Sequence, residues 1–96
     1  MIGQQKIQTK DPAVRIYKAL ANPTRLSLVR KLADKPRGED GGELCAKSLL
    51  SQPTMSHHLA KLVEAGIVIE SKYITRKSYI LNRKLLAING IDVNRL

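Results

Sequence analysis

The sequence predicts a mainly α-helical domain with one small β-hairpin, in the order four helices, two strands and a fifth helix. Two observations predict this fold class. Apolar residues recur three and four residues apart through most of the chain up to Gly66, which is the spacing of helices with one buried face. After Gly66 the period changes, and β-branched and aromatic residues dominate residues 67–81, which is typical of strands.

The length and composition indicate one small globular domain over residues 11–96, preceded by a flexible, polar arm over residues 1–10. With 96 residues, a hydrophobic content of 43% and no Phe or Trp, the core must consist of Leu, Ile, Val and Ala. A core of this size is modest, so a partner subunit would help to stabilise it. The formal charge of +9 indicates a polyanionic partner or an anionic membrane surface.

The sequence shows no targeting or membrane-spanning signal. No apolar run approaches the ~20 residues that cross a bilayer, and the N-terminus has no apolar signal-peptide segment. Cys45 is the single cysteine and cannot form an internal disulfide. We therefore expect a protein of the reducing cytoplasm that does not act at a membrane.

The first two helices begin with the same device, a capping residue followed by proline. Asp11-Pro12 opens a helix whose expected apolar stripe is Val14, Tyr17, Leu20 and Ala21. Asn22-Pro23 opens a second helix through about Ala33, which is expected to bury Leu26, Val29 and Leu32. Residues 34–42 contain one Pro and three Gly, which disfavour helix and strand alike, so this segment is expected to be a loop.

Residues 51–66 form the helix around which the chain is organised. Ser51 is a suitable N-cap, Pro53 fits the first turn, and Gly66 can close the helix in a left-handed conformation. Its buried stripe is expected to contain Met55, Leu59, Leu62 and Val63.

The opposite face of this helix is small, polar and mildly basic, with Pro53, Thr54, His57, Ala60, Lys61 and Glu64. A short helix from Glu43 to about Leu49 and a tight turn precede it, which together indicate a helix-turn-helix. Small polar groups near the N-terminus of a helix suit entry into the DNA major groove. The alternative is an ordinary surface helix with a solvated face.

The expected hairpin has strands over residues 67–73 and 78–81, joined at Ile74–Lys77. It carries Lys72, Arg76 and Lys77. A basic hairpin that follows a helix-turn-helix is a wing, which contacts backbone phosphates and makes the fold a winged helix-turn-helix. The alternative is a charged tip that only protects an exposed sheet edge from aggregation.

The C-terminal segment is rich in Leu and Ile. Asn82 can cap a last helix that ends at Asn89-Gly90. So much apolar surface at the terminus of a small domain is most simply buried against a second subunit, and the residues concerned are Leu85, Leu86, Ile88 and Ile91.

Residues 19–26 and 50–68 resemble the arsenic-repressor (ArsR-type) family of winged-helix regulators. The resemblance rests on Asn22-Pro23-Thr24-Arg25 and on the run from Leu50 through Ser51-Gln52-Pro53-Thr54 and His57-His58 to Gly66, and it covers about residues 13–82. It implies a homodimer, built mainly from the first and last helices, that sits on a pseudo-palindromic operator and blocks transcription. The first helix would then contribute Val14 and Tyr17 to the dimer interface.

The same match assigns DNA contacts to residues of this chain. Base-edge contacts fall on Gln52, Thr54, Ser56 and His57. Backbone contacts fall on Ser51, Arg76 and Lys77, to which the basic side chains of Lys61 and Lys72 are added because of their charge and position.

The chain departs from the metal-sensing members that the resemblance brings to mind. Those members place a Cys-x-Cys pair at the start of the brace helix, or an Asp-x-His set with later carboxylates on the last helix. Here Cys45 has no second cysteine, and the last helix has no His and no acid, with only Asp92 beyond it. His57 and His58 are adjacent in sequence, so they diverge by ~100° and cannot chelate as an i, i+4 pair. We expect no bound metal or cofactor and a buried Cys45.

Other function classes remain as alternatives to a DNA-binding repressor. The same dimer could be switched by oxidation of Cys45 or by an inducer, although no inducer site is expected from the sequence. A winged helix could also serve as a protein-interaction module, for which its recognition face lacks the usual aromatic residues. We expect no enzyme, because no paired carboxylates or cofactor motif occur, and no RNA or single-strand binding, because stacking aromatics are lacking.

Overall fold

The computed structural model describes residues 11–96, so the arm expected over residues 1–10 lies outside the described residues. The helices and strands, in chain order, are α1 (Pro12–Leu20), α2 (Pro23–Ala33), β1 (Glu39–Asp40), α3 (Gly41–Ala46), α4 (Gln52–Glu64), β2 (Val68–Tyr73), β3 (Arg76–Leu81), α5 (Arg83–Ile88) and a terminal 3₁₀ turn (Val93–Arg95). The predicted winged helix-turn-helix is confirmed. Within these residues every helix is too short or too polar to cross a bilayer.

The helix starts lie where the capping residues predict them. The side chains of Asp11, Asn22 and Asn82 accept hydrogen bonds from backbone amides in the first turns of α1, α2 and α5, at 2.9, 3.0 and 3.1 Å. Each bond satisfies an amide that the helix itself leaves unpaired.

The brace helix α3 is an exception to the predicted bounds. The sequence predicts this helix from Glu43 to about Leu49, but it runs from Gly41 to Ala46. The Asp40 carboxylate accepts from the amides of Gly42 and Glu43 at 2.8 and 3.2 Å, so the helix begins two residues early.

The sheet has one strand more than the sequence predicts. β1 lies inside the segment expected to be a loop, and it pairs antiparallel with β3 to give the order β1-β3-β2. A two-residue strand has almost no local signal, because its hydrogen bonds come from β3, forty residues away. Gly38 precedes it with φ +87°, and a Cβ there would lie 2.8 Å from the Tyr79 carbonyl oxygen, so only glycine fits.

The hairpin is tighter than expected. β2 and β3 pair from Val68↔Leu81 to Tyr73↔Arg76, and only Ile74 and Thr75 lie between them. The sequence predicts Arg76 and Lys77 in the connecting turn, but they belong to β3. The turn contains no Gly or Asn, and Ile74 takes the positive φ of 59° that a two-residue connection requires.

One apolar core joins the helices to the hairpin. The stripe predicted for α4 is confirmed, since Met55, Leu59 and Leu62 are buried and Val63 packs against them half-buried. In α2 the buried residues are Leu28, Val29 and Leu32, whereas Leu26 is only half-buried.

The face predicted for α1 is wrong. This helix buries Ile16 and Ala19, while Val14 and Leu20 are half-buried and Tyr17 and Ala21 are exposed. α1 is apolar around more than half its circumference, so the choice of face depends on what it packs against.

Arginines from other helices bind the free carbonyls at three helix ends. Arg25 of α2 donates to the Ala19 carbonyl oxygen near the end of α1 at 2.8 Å. Arg83 of α5 donates to the Ala33 carbonyl oxygen of α2 at 2.8 Å. Arg15 of α1 donates to the Glu64 carbonyl oxygen of α4 at 3.0 Å. A cation at a helix C-terminus is favourable because it faces the negative end of the helix dipole.

Candidate nucleic-acid interface

The recognition helix α4 is held at both ends and along one side. Ser51 caps it, because its hydroxyl oxygen accepts from the Thr54 amide at 3.3 Å, and Gly66 follows its end with φ +80°. Met55, Leu59 and Leu62 anchor its inner face in the core. The rotation of the helix is therefore fixed, and its other face must point to solvent.

The polar face of α4 is free. The exposed residues are Gln52, Pro53, Thr54, Ser56, His57, Ala60, Lys61 and Glu64. All four residues assigned to base edges are among them, together with Lys61. The Ser51 hydroxyl donates to the Thr54 hydroxyl oxygen at 2.9 Å, and this bond orients the Thr54 side chain. The hydroxyl proton of Thr54 stays available to another acceptor. Ser51 itself uses its hydroxyl proton in this bond.

The two adjacent histidines have different environments. Their rings lie 5.7 Å apart at 64°, with His57 exposed and His58 half-buried. The Nδ1 atom of His58 is enclosed and has no hydrogen-bond partner among the described residues. Burial, and then the charges of Arg25 and His57, hold the pKa of His58 below its ordinary value. His58 is therefore neutral at neutral pH, and only His57 is presented outward.

The wing carries cations that are partly paired with nearby carboxylates. The Arg76 Nε lies 3.3 Å from an Asp40 carboxylate oxygen, and the Lys77 Nζ lies 3.9 Å from a carboxylate oxygen of Glu70. Lys72 is the cross-strand neighbour of Lys77. All three side chains are exposed, so their ion pairs are weak and a phosphate can compete for them.

A groove of about 540 Å³ separates the wing from the recognition helix. It brings together five residues assigned to DNA from distant parts of the sequence, namely Gln52, Ser56, Lys72, Arg76 and Lys77. The buried ring of Tyr79 contributes to the floor of this groove. Burial and then Glu70 raise the pKa of Tyr79 to about 12, so this floor is uncharged. The cations of this groove lie on its wing side, and the α3 and α4 side supplies polar groups together with the Asp40 carboxylate. A cationic wall beside a neutral floor suits a phosphodiester strand.

A second basic groove, of about 330 Å³, lies at the other end of α4. Lys61 lines it together with Arg15 and Lys18 of α1 and Arg25 of α2. The sequence pattern marks neither Arg15 nor Lys18 as a DNA contact, and it marks Arg25 only as part of the Asn22–Arg25 motif. Arg15 and Lys18 are three apart and so share a helix face, but nothing local shows that this face lies beside α4.

Cys45 lies beside the first groove. It is half-buried rather than buried as expected, because it lines the groove, and its Sγ lies 3.8 Å from the Leu50 carbonyl oxygen. Across residues 11–96, no three His, Cys, Asp or Glu side chains are close enough together to hold a metal ion.

The residues assigned to a dimer interface divide into three groups. Tyr17 and Ile88 are exposed by 54% and 72%, and the Tyr17 hydroxyl, donating to the Asn89 carbonyl oxygen at 3.2 Å, ties α1 to the end of α5. Val14, Leu85 and Ile91 are half-buried. Leu86 is fully enclosed in the core of the single chain, so its assignment to an interface is wrong. Its helix is too short and amphipathic for both Leu85 and Leu86 to face outward.

Comparisons with known proteins agree with this geometry. The model of the family described as bacterial regulatory protein, arsR family, matches residues 22–70, from the start of α2 to the middle of β2. An arsenical resistance operon repressor from Staphylococcus xylosus is 38% identical over 76 residues, which are 74% of this chain and 66% of that protein. An uncharacterised HTH-type transcriptional regulator from Methanocaldococcus jannaschii is 36% identical over 74 residues, 72% of this chain and 76% of that protein.

A solved structure of a related protein has the same fold. HlyU from Vibrio cholerae superposes with a TM-score of 0.70 at 31% identity, over 88% of this chain and 91% of that chain. The chain spans just under two thirds of the length of the Staphylococcus xylosus repressor. The matched segment contains the whole helix-turn-helix, with the recognition face exposed. The chain therefore belongs to the arsR family of bacterial regulatory proteins, which are DNA-binding transcription regulators.

Proposed function

We propose that this chain is a sequence-specific repressor that binds duplex DNA as a homodimer on a pseudo-palindromic operator in the cytoplasm. The observation that carries the proposal is the exposed polar face of α4 beside a cation-lined groove. Gln52, Thr54, Ser56 and His57 would contact base edges in the major groove. Lys72, Arg76 and Lys77 in the first groove and Lys61 in the second would contact the backbone on either side. Ser51, exposed at the start of α4, would contact it as well.

The experiment that tests this proposal is selection of bound sequences from random duplex DNA at physiological salt. A dimer with two-fold symmetry should select two inverted half-sites separated by one or more turns of about 10.5 base pairs. Affinity for the selected duplex should fall steeply as the salt concentration rises. If no sequence is enriched, sequence-specific binding is refuted. If a single asymmetric motif is selected, binding as a homodimer is refuted.

The dimer is proposed to form through the surface that Tyr17 and Ile88 share with half-buried Val14, Leu85 and Ile91. Exposed apolar side chains on two adjoining helices indicate a surface that is covered in the assembly. A Tyr17→Glu, Ile88→Glu double variant should sediment as a monomer at concentrations where the parent chain is a dimer. Leu49→Glu is the control, because Leu49 is an even more exposed apolar residue that lies outside this surface. Equal sedimentation of the parent and the double variant would refute the interface.

We propose that binding needs no metal or other cofactor. The lone Cys45 offers one thiolate, whereas zinc or arsenic sites need three or four good ligands. The protein titrated with its operator should have the same affinity with and without a chelator. A chelator-dependent affinity would overturn this part of the proposal.

A thiol-linked switch is the second candidate function, because Cys45 lines the groove that also holds Lys72, Arg76 and Lys77. If oxidation regulates binding, a mild oxidant should release the parent protein from its operator but not the Cys45→Ser variant. Identical release of both proteins, or of neither, would remove this candidate.

A further inference from the structure

The tip of the wing has a backbone conformation that its residue does not favour. Ile74 is the first of the two residues joining β2 to β3, and it has φ 59°. Glycine, asparagine and aspartate normally occupy such positions, because a β-branched side chain clashes with its own backbone there. Across residues 11–96, Ile74 is the one non-glycine residue with positive φ.

Within the described residues, the Ile74 side chain is not part of the packed core. It is 75% exposed and lies outside the core cluster, and the preceding Tyr73 is 78% exposed. An asparagine or glycine at this position would relieve the strain and lose no packing. Strained residues of this kind concentrate at functional sites, where the constraint is part of what the site does. The side chain is therefore expected to be used outside the chain.

The residues around this tip indicate which kind of molecule the Ile74 side chain contacts. Lys72, Arg76 and Lys77 lie within three residues of Ile74, and Lys72 and Lys77 face each other across the two strands. Like charges directly opposite each other are unfavourable, and the Glu70 carboxylate, 3.9 Å from the Lys77 Nζ, offsets this repulsion on one side of the pair only. At this tip the cations favour an anionic occupant over a second copy of this chain, whose formal charge is +9. An apolar tip within a ring of cations fits a duplex, which has phosphates at the groove edges and apolar sugar and base surfaces inside.

We infer that Ile74 is a specificity-determining wedge that enters the DNA minor groove beside the sequence read by α4. The inference rests on the proposed function, since it adds a second reading element to the same DNA-bound dimer. The minor groove is about 6 Å wide, so it admits one side chain at a narrow hairpin tip. Apolar side chains placed there partly unstack a base step, and the ease of unstacking depends on the sequence. Lys72, Arg76 and Lys77 hold the tip on the backbone while Ile74 reads the deformability of the step below it.

The test compares the parent chain with Ile74→Asn and Ile74→Leu in selection from random duplexes and in titrations with the selected operator. The parent should show a preference outside the two half-sites, at the steps beneath the wings. Ile74→Asn should lose that preference, keep the half-sites and bind about tenfold more weakly. Its urea midpoint should equal or exceed that of the parent, because strain is relieved. Ile74→Leu keeps an apolar tip and should keep the flanking preference.

Leu49→Asn is the matched control, because it also removes an exposed apolar side chain but lies in the turn between α3 and α4. It should leave the flanking preference unchanged. The inference is overturned if Ile74→Asn keeps the parent's flanking preference and affinity, if it unfolds more easily than the parent, or if Ile74→Leu loses the preference as fully as Ile74→Asn. If the parent selects no motif at all, the proposed function itself fails, which is a different result.

Discussion

Replacing Arg76 by alanine should make operator binding less sensitive to salt without changing the preferred sequence. The Arg76 side chain is 76% exposed, and its ion pair with Asp40 is exposed on the arginine side, so its loss should hardly affect folding. In DNA binding it would neutralise one phosphate per subunit. Each lost phosphate contact lowers the slope of log affinity against log salt by about 0.9, so a dimer should lose about 1.8.

The size of this effect is easily measured. Between 50 and 200 mM salt, the parent's affinity should fall by a factor about twelve times larger than the variant's, because fourfold in salt raised to the power 1.8 is about twelve. Fluorescence anisotropy titrations at four salt concentrations would give both slopes. Arg95→Ala is the control, since Arg95 is also exposed and paired with an acid, Asp92, at 3.7 Å, but lies in the terminal 3₁₀ turn. An equal change of slope in Arg95→Ala would show that the effect comes from the lower net charge and not from a contact of Arg76 with DNA. A changed base preference at one position in Arg76→Ala would refute the backbone role of the wing.

Three further predictions concern the recognition helix. Thr54→Ala combined with His57→Ala should relax base preference within the half-sites, with only a modest loss of non-specific affinity, as measured by repeating the random-duplex selection. Leu62→Ala should lower the free energy of unfolding by about 2–5 kcal/mol in urea titrations, because Leu62 is fully buried. His58 has a pKa below its ordinary value of 6.5, so the unfolded chain binds more protons, and stability should fall as the pH drops through 6.5. Urea midpoints at pH 5.5 and 7.5 should differ less for His58→Gln than for the parent.

Local signals in the sequence were enough to predict the recognition helix. Its cap at Ser51, its stop at Gly66 and its stripe at Met55, Leu59 and Leu62 each depend on residues within one or two turns, and the structure confirms them. The exposure of Thr54 and His57 follows directly, because a fixed buried stripe fixes the opposite face. Contact of these residues with DNA stays a prediction.

Features set by distant partners could not be predicted in the same way. β1 exists only because β3 supplies its hydrogen bonds, and Gly38 allows that approach. α1 has two apolar faces, and only its packing shows that Ile16 rather than Tyr17 turns inward. The second basic groove likewise appears only when α1 is packed beside α4.

The three arginines that bind helix ends hold helices together, so they do more than contribute to the positive charge of this protein. Of the 17 Lys and Arg residues, Arg15, Arg25 and Arg83 each donate to a main-chain oxygen of another helix. A guanidinium has several N–H donors in a fixed planar geometry, so it can reach such an oxygen from more than one direction. Acidic substitutions are sometimes introduced to reduce non-specific binding to nucleic acids during purification. At these three positions they would instead break hydrogen bonds between helices and destabilise the fold. Exposed lysines such as Lys84 are the safer targets for that purpose.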